Sequence, residues 1–157
     1  MENEEIQMNS PNRRDDQKAF ILKERIADMY RYGKKIVDRF PGRDKELASE
    51  IRQSMLTMFR LVVKIEKKYY KKSTLQELDE ELEVLRHLVR IAADKDYYDQ
   101  EVPKKDKNGN KVYDEQGKLI TVSVSPPLSL HKKYVWNSQY LDEIGRLIGG
   151  YLNHLNK

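Results

Sequence analysis

The chain is expected to be all-α, an antiparallel up-down-up-down four-helix bundle with a small β-hairpin-like insert between helices 3 and 4. Three observations point there. Apolar residues recur at i, i+3/i+4 and i+7 over four long stretches, the period of an amphipathic helix. The breaks between the first three stretches are short, and links of about two to eight residues favour antiparallel neighbours. Before the last stretch, turn dipeptides and a β-prone run replace the helical period.

The sequence has 157 residues, a length that suits one domain with a sizeable core. It has no cysteine, which excludes disulfides and thiolate metal sites and suits an intracellular, cytoplasmic setting. No run approaches the ~18 apolar residues that span a bilayer, and the start, MENEEIQMNS, has no apolar signal core. No membrane association and no cofactor are expected. The net charge is only +4, yet its distribution is uneven. Residues 43–72 carry 9 basic and 4 acidic side chains, whereas residues 73–101 carry 3 basic and 9 acidic. Such a split either pairs adjacent helices or presents a basic face to a polyanion.

Residues 1–14 are polar, contain Pro11 and lack a sustained period, and are read as a disordered lead. The bundle then occupies 15–157. Helix 1, about 15–40, carries the stripe Ala19, Leu22, Ile26, Met29, Gly33, Ile36, Val37 and Phe40. Phe40-Pro41-Gly42 stops it, because proline disfavours α geometry in the residue before it. Helix 2, about 44–72, has a main stripe of Leu47, Ile51, Met55, Met58, Val62, Ile65 and Tyr69. Leu56, Phe59, Leu61 and Val63 widen its apolar arc beyond what one neighbour covers. The remaining wedge, with Arg60, Lys64, Lys67, Lys68 and Lys71, is almost purely basic.

Thr74 and Glu77 read as a capping box opening helix 3, about 74–96. Leu75, Leu78, Leu82, Leu85, Val89 and Ala92 form its seam, and Val84, Leu88 and Ile91 form a second stripe beside it. The insert spans 97–127. Asn108-Gly109 and Gln116-Gly117 are turn signals, and Val112-Tyr113 is expected opposite Leu119–Val122 in a hairpin. Pro126-Pro127 closes it. No internal repeat is evident. Helix 4, about 129–155, begins with Leu130, Tyr134, Asn137 and Leu141. Asn137 falls within the apolar arc, either fixing helix register or contacting the insert.

The end of helix 4 carries three glycines, each costing roughly 1 kcal/mol against alanine in a helix. Gly145 and Gly149 border the apolar arc, where close packing accounts for them. Gly150 falls on the polar side, where only contact with another subunit would.

The residues give catalysis no support. His87, His131 and His154 are far apart, and none has a metal-ligand partner one turn away. Solvent-facing histidines are the plainer reading. No nucleophile elbow or phosphate-binding glycine loop is present. Asp79-Glu80-Glu81 and Glu83 suit the N-terminus of helix 3 electrostatically. The basic wedge of helix 2 is the functional candidate. A solvated helix face would explain it, but only Glu66 lies nearby to neutralise it, and Tyr69 and Tyr70 offer rings for unpaired bases. Repeated around a ring of subunits, such a wedge becomes a strong polyanion site.

Ile144-Gly145-Arg146-Leu147-Ile148-Gly149-Gly150-Tyr151, with Arg39-Phe40-Pro41, Leu47–Ile51-Arg52 and the leucine-rich Asp79–Leu88, resembles the accessory variability determinant (Avd) proteins of diversity-generating retroelements. These group with four-helix-bundle proteins encoded by intervening sequences of bacterial 23S ribosomal RNA genes. The likeness covers residues 18–96 and 128–155, and leaves out the lead and the insert. It implies a non-catalytic homopentamer that binds RNA or DNA and associates with a reverse transcriptase during mutagenic retrohoming. The expected contacts are Arg60, Lys64, Lys67, Lys68 and Lys71, supported by Arg31 and Lys35, and made to phosphate with little sequence specificity. Leu56, Phe59, Val63, Val84, Leu88, Ile91 and Gly150 are the expected subunit interface. The other reading is a homo-oligomeric interaction module in which the wedge pairs with Asp79–Glu83 of a neighbouring copy.

Overall fold

Each long stretch becomes a helix whose apolar stripe is buried against two neighbours. The structure, a computed structural model, describes residues 2–156, with side chains from Asp16 onward. The lead expected to be disordered, residues 1–14, falls outside the residues whose side chains are described. Helix α1 is Glu2–Val37, α2 is Lys45–Lys67 and α3 is Lys72–Ala92. A 3-10 turn, Gly42–Asp44, follows Pro41 and leads into α2. After the short α4, Lys95–Tyr98, come strands β1, Glu101–Pro103, and β2, Thr121–Ser123. The last bundle helix is continuous in three parts: α5, Leu130–Val135, a π-helical turn, Trp136–Leu141, and α6, Asp142–Leu155.

Cross-helix pairs establish the antiparallel order. Lys23 meets Glu66 at one end of the α1–α2 pair, and Asp38 meets Arg52 at the other. Arg25 reaches Glu143, while Tyr32 packs edge-on against Trp136. Arg86 of α3 holds Asp142 of α6. Contacts run α1–α2, α2–α3, α3–α6 and α6–α1, the square of an up-down-up-down bundle. The stripes expected on the first three helices supply most of its core, including Leu22, Ile26, Met55, Val62, Leu78 and Leu85, joined by Ile144 and Ile148 of α6. Tyr69, expected to end the stripe of helix 2, lies beyond the end of α2 and is exposed.

The last helix departs from the expected phase. Leu130 and Tyr134 are exposed and Asn137 is only half-buried, whereas Trp136 is fully buried. The buried positions Trp136, Leu141, Ile144, Ile148 and Tyr151 begin with a five-residue step across the π-helical turn. A π turn adds one residue to the helical repeat, so it rotates everything before it out of the α phase. Asn137 therefore neither occupies the core arc nor sets register there. Gly33 explains the alternative, because the indole of Trp136 lies where a Cβ at Gly33 would be.

Other local expectations also change. Thr74 does not cap α3, which starts at Lys72; its buried hydroxyl accepts from Lys68 Nζ at 2.9 Å. Gly145 does lie under α3, its Cβ position 2.9 Å from Arg86 Nη2. Gly149, expected beside the core, is exposed with no atom within 4 Å of its Cβ position. Its place in the α phase is right, but α3 lies over Gly145 and leaves the next turn uncovered.

The insert is more than one hairpin. Tyr113 pairs with Leu119 as expected, but β2 pairs with β1, and Lys105 pairs with Lys111 in a further arm. Lys104 N–H donates to Ile120 O, Val112 N–H to Lys104 O, and Ile120 N–H to Val112 O, closing a ring of three backbone bonds. Those three residues are eight apart, and so are the two turns between the arms. Asp106 Oδ1 accepts from Asn108 and Asn110 N–H, and Asp114 Oδ1 from Gln116 and Lys118 N–H. Gly109 and Gly117 take the same positive φ, 81° and 79°, which glycine adopts without strain. The insert thus holds a short internal repeat, two arms of eight residues, where none is evident over the whole chain. Arg43 Nη2 donates to Ser125 O at 3.0 Å and Leu128 N–H to Ala92 O at 3.1 Å, tying the insert to the end of the bundle where α1 turns into α2.

Candidate nucleic-acid interface

The basic wedge of α2 exists because its neighbours in sequence are committed elsewhere. Arg60, Lys64 and Lys67 follow one another at i+4 and i+3 and are all exposed. Glu66, the nearest acid in sequence, faces α1 and reaches Lys23 Nζ at 2.7 Å. Among the described residues, no carboxylate lies within 4.0 Å of Arg60, Lys64, Lys67, Lys68 or Lys71. Exposed, unpaired cations keep their full attraction for a polyanion and release condensed counterions on binding it.

The helix ends at Lys67, so Lys68 and Lys71 belong to the turn into α3 rather than to the helix face. Lys68 has extended backbone, and its ammonium is partly spent on Thr74 Oγ1. Lys71 is half-buried. The turn instead presents Tyr69 and Tyr70, 89% and 83% exposed, with ring centroids 5.0 Å apart and planes at 86°. Lys67 also lines an open groove of about 810 Å³ with Phe20, Ile21 and Lys23.

Arg31 and Lys35 are not brought to this face. They line a separate groove of about 430 Å³ with Arg25, Asp28, Tyr32 and Tyr140, between α1 and the last helix. Lys35 is twelve residues beyond Lys23, the α1 partner of Glu66, which places it roughly 18 Å further along the axis at 1.5 Å per residue. Arg31 Nη1 is engaged by Asp28 at 2.8 Å. Burial and the stacked Tyr140 ring push the Tyr32 hydroxyl above the usual phenol range.

Other cations are also occupied. Asp38 is held below the usual carboxylate range by hydrogen bonds from Lys34 first and Arg52 second, and Lys34 is raised in return by its bond to Asp38. Glu101 is lowered by the hydroxyls of Thr121 and Ser123. At the insert end, burial and the neighbouring Asp44 push Tyr98 up to about 12.

The apolar residues expected at an interface form two patches. Phe59 and Val63 share the α1-facing flank of α2 with Arg52 and Glu66, and both remain exposed, while Leu56 is half-buried. Val84 and Ile91 are exposed on the outer face of α3 with half-buried Leu88 between them. Gly150 is exposed, with no atom within 4 Å of its Cβ position.

Arg86 is a further residue of this bundle whose role no local pattern signals. Its guanidinium bonds Asp142 Oδ1 at 2.8 Å and the Leu141 carbonyl at 3.2 Å, bracing the end of the π-helical turn. Those partners lie 56 and 55 residues away, so no local pattern signals them.

His87 is exposed beside Glu83, 3.3 Å from its carboxylate. Among the described residues, no group of three or more His, Asp or Glu side chains is arranged to hold a metal ion. No helix there is long and apolar enough to cross a membrane.

No curated protein and no solved structure matches the chain. A family model described as bAvd-like matches residues 20–124. The matched span takes in the first three helices, as expected, but it also includes most of the insert and stops before the glycine-bearing helix. It nonetheless takes in more than half of the 157 residues, together with the basic face of α2 and its turn. The chain therefore belongs to the bAvd-like family, as expected of an accessory variability determinant protein.

Proposed function

We propose that this protein is a non-catalytic accessory factor of the reverse transcriptase in a diversity-generating retroelement. In this reading it holds RNA or DNA on the basic face of α2 and assists mutagenic retrohoming. Family membership supports the accessory role. The observation that carries the binding role is that Arg60, Lys64, Lys67 and Lys71 are left without carboxylate partners, because Glu66, the nearest acid in sequence, pairs with Lys23 of α1. Contacts would be to phosphate, with little sequence preference and steep salt dependence. The exposed Phe59, Val63, Val84 and Ile91 favour a homo-oligomer, a pentamer by family likeness, in which several such faces act together.

The test is binding of labelled RNA and DNA at low salt by wild type and by the Lys64→Glu, Lys67→Glu double variant. The variant is expected to fold normally and bind at least tenfold more weakly; unchanged affinity removes this site. Pull-down with a reverse transcriptase of a diversity-generating retroelement tests the partner, and mass in solution tests the oligomer.

A second reading is an interaction module with no direct nucleic-acid role. It is favoured by Asp79, Glu80 and Glu83, which are exposed and make no contact with the basic face of their own chain within 4.0 Å. Pairing would then be between copies, and the wild type would retain no nucleic acid at low salt.

A further inference from the structure

We infer that the turn Lys67–Lys72 is a single-strand recognition tip, in which Tyr69 and Tyr70 stack on unpaired bases while the flanking lysines hold the phosphates. This deepens the proposed nucleic-acid role and rests on it.

The sequence of the tip is symmetric, Lys-Lys-Tyr-Tyr-Lys-Lys, and no acid occurs from Lys67 to Leu75. Burying an aromatic ring is strongly favourable, and rings of this size usually cover 150–250 Å² when packed, roughly speaking. Here two adjacent rings are left almost wholly in water. Their edge-on arrangement, 5.0 Å apart at 86°, puts one edge against one face and leaves the remaining faces open.

The backbone beneath them is held at both ends. Lys68 N–H donates to Lys64 O at 3.0 Å, Leu75 N–H to Lys71 O at 2.9 Å, and Lys68 Nζ to the buried Thr74 hydroxyl at 2.9 Å. The rings are thereby carried on a short braced turn, so little further ordering is needed when a ligand binds. This also gives Lys68 a positioning role distinct from phosphate contact.

The chemistry separates single from double strands. Both offer phosphates to Lys67, Lys71 and Lys72. Only an unpaired strand also offers base faces, since those of a duplex are stacked on one another. Every base has a π face, so the preference is for strand state rather than for sequence.

The test uses the full chain, a uridine-rich RNA oligonucleotide, its DNA counterpart and a blunt duplex of equal length, followed by fluorescence anisotropy. Tyr69→Ala with Tyr70→Ala is expected to weaken both single strands roughly tenfold or more and to leave the duplex within about twofold. Tyr69→Phe with Tyr70→Phe is expected to keep wild-type affinity, because the ring and not the hydroxyl stacks. Equal loss for strands and duplex, or no loss for either, overturns the tip. Binding of neither nucleic acid by the wild type overturns the underlying reading instead, and points to a protein partner for this surface. Comparison of the RNA and DNA arms decides which strand is preferred.

Discussion

Trp136 lies so close to Gly33 that a Cβ there would come within 2.5 Å of its Cζ2 and 2.6 Å of Met55 Sδ. The π-helical turn places the indole at this point, and the backbone of α1 receives it. Gly33→Ala is therefore expected to destabilise the bundle by roughly 1–3 kcal/mol, the usual penalty of overpacking. The methionine is flexible and can yield, but the indole is confined by Tyr32 edge-on at 6.1 Å. A drop of several degrees in melting temperature checks this; an unchanged melt would mean that the indole moves aside freely.

Gly149 and Gly150 should behave in the opposite way. Neither has an atom within 4 Å of its Cβ position, so alanine at each should stabilise the isolated bundle by roughly 0.5–1 kcal/mol through helix propensity alone. If this face meets another copy, Gly150→Leu should keep its helical content and lose oligomeric mass. Thermal melts and mass in solution separate the two effects.

Arg86 and Gly145 should be energetically coupled. Arg86→Met removes bonds to Asp142 and the Leu141 carbonyl, an expected loss of roughly 1–3 kcal/mol for a charged donor. Gly145→Ala pushes against the same guanidinium at 2.9 Å, and should cost less in the Arg86→Met background than alone. Denaturant unfolding of the two singles and the double closes the cycle; additive losses would show that the guanidinium gives way without cost.

Asp38 and Tyr98 are expected to contribute pH dependence in opposite directions. Asp38 has a lowered pKa when folded, so its contribution is present above the ordinary carboxylate range and fades as pH falls through it. Asp38→Asn should lower the melting temperature at pH 7 and differ little from wild type in strong acid. Tyr98 is raised to about 12 from a model-compound value of 10.0, so its contribution is complete below pH 10 and lost as pH climbs toward 12. Tyr98→Phe should flatten that alkaline decline, and melts across the range measure it.

Binding through the α2 face should weaken linearly on a log–log plot against salt, and each cation removed should reduce the slope by about one. Lys64→Gln and Lys67→Gln should each do so, whereas Lys35→Gln should not, because it lies in another groove. Equal effects from all three would show that the ligand wraps the bundle.

Most of the first three helices was legible because their signal is periodic and local. The stripes from Leu22 to Met29, Ile51 to Ile65 and Leu75 to Val89 are buried as their spacing requires. The basic face of α2 was equally legible, since exposure follows from the same phase. The last helix was misread from Leu130 to Asn137 because a π turn breaks the constant angle on which phase depends. Only Gly33, a century of residues earlier in the chain, gives that turn its reason. The insert was half read: Tyr113 opposite Leu119 follows from the turn dipeptide, but pairing of β1 with β2 closes across 17 intervening residues that carry two further arms.

By itself, then, the amino-acid sequence determined the all-α class, the helix order, the core stripes and the unneutralised charge of Arg60, Lys64 and Lys67. All of these follow from periodicity and from what lies within one or two turns. Tertiary structure alone decided that Arg31 and Lys35 stand in a separate groove, that Gly145 is covered and Gly149 is not, and that Lys68 braces the turn carrying Tyr69 and Tyr70. Those outcomes depend on which helix lies opposite, and at what height, and a helix face does not encode its neighbour's position.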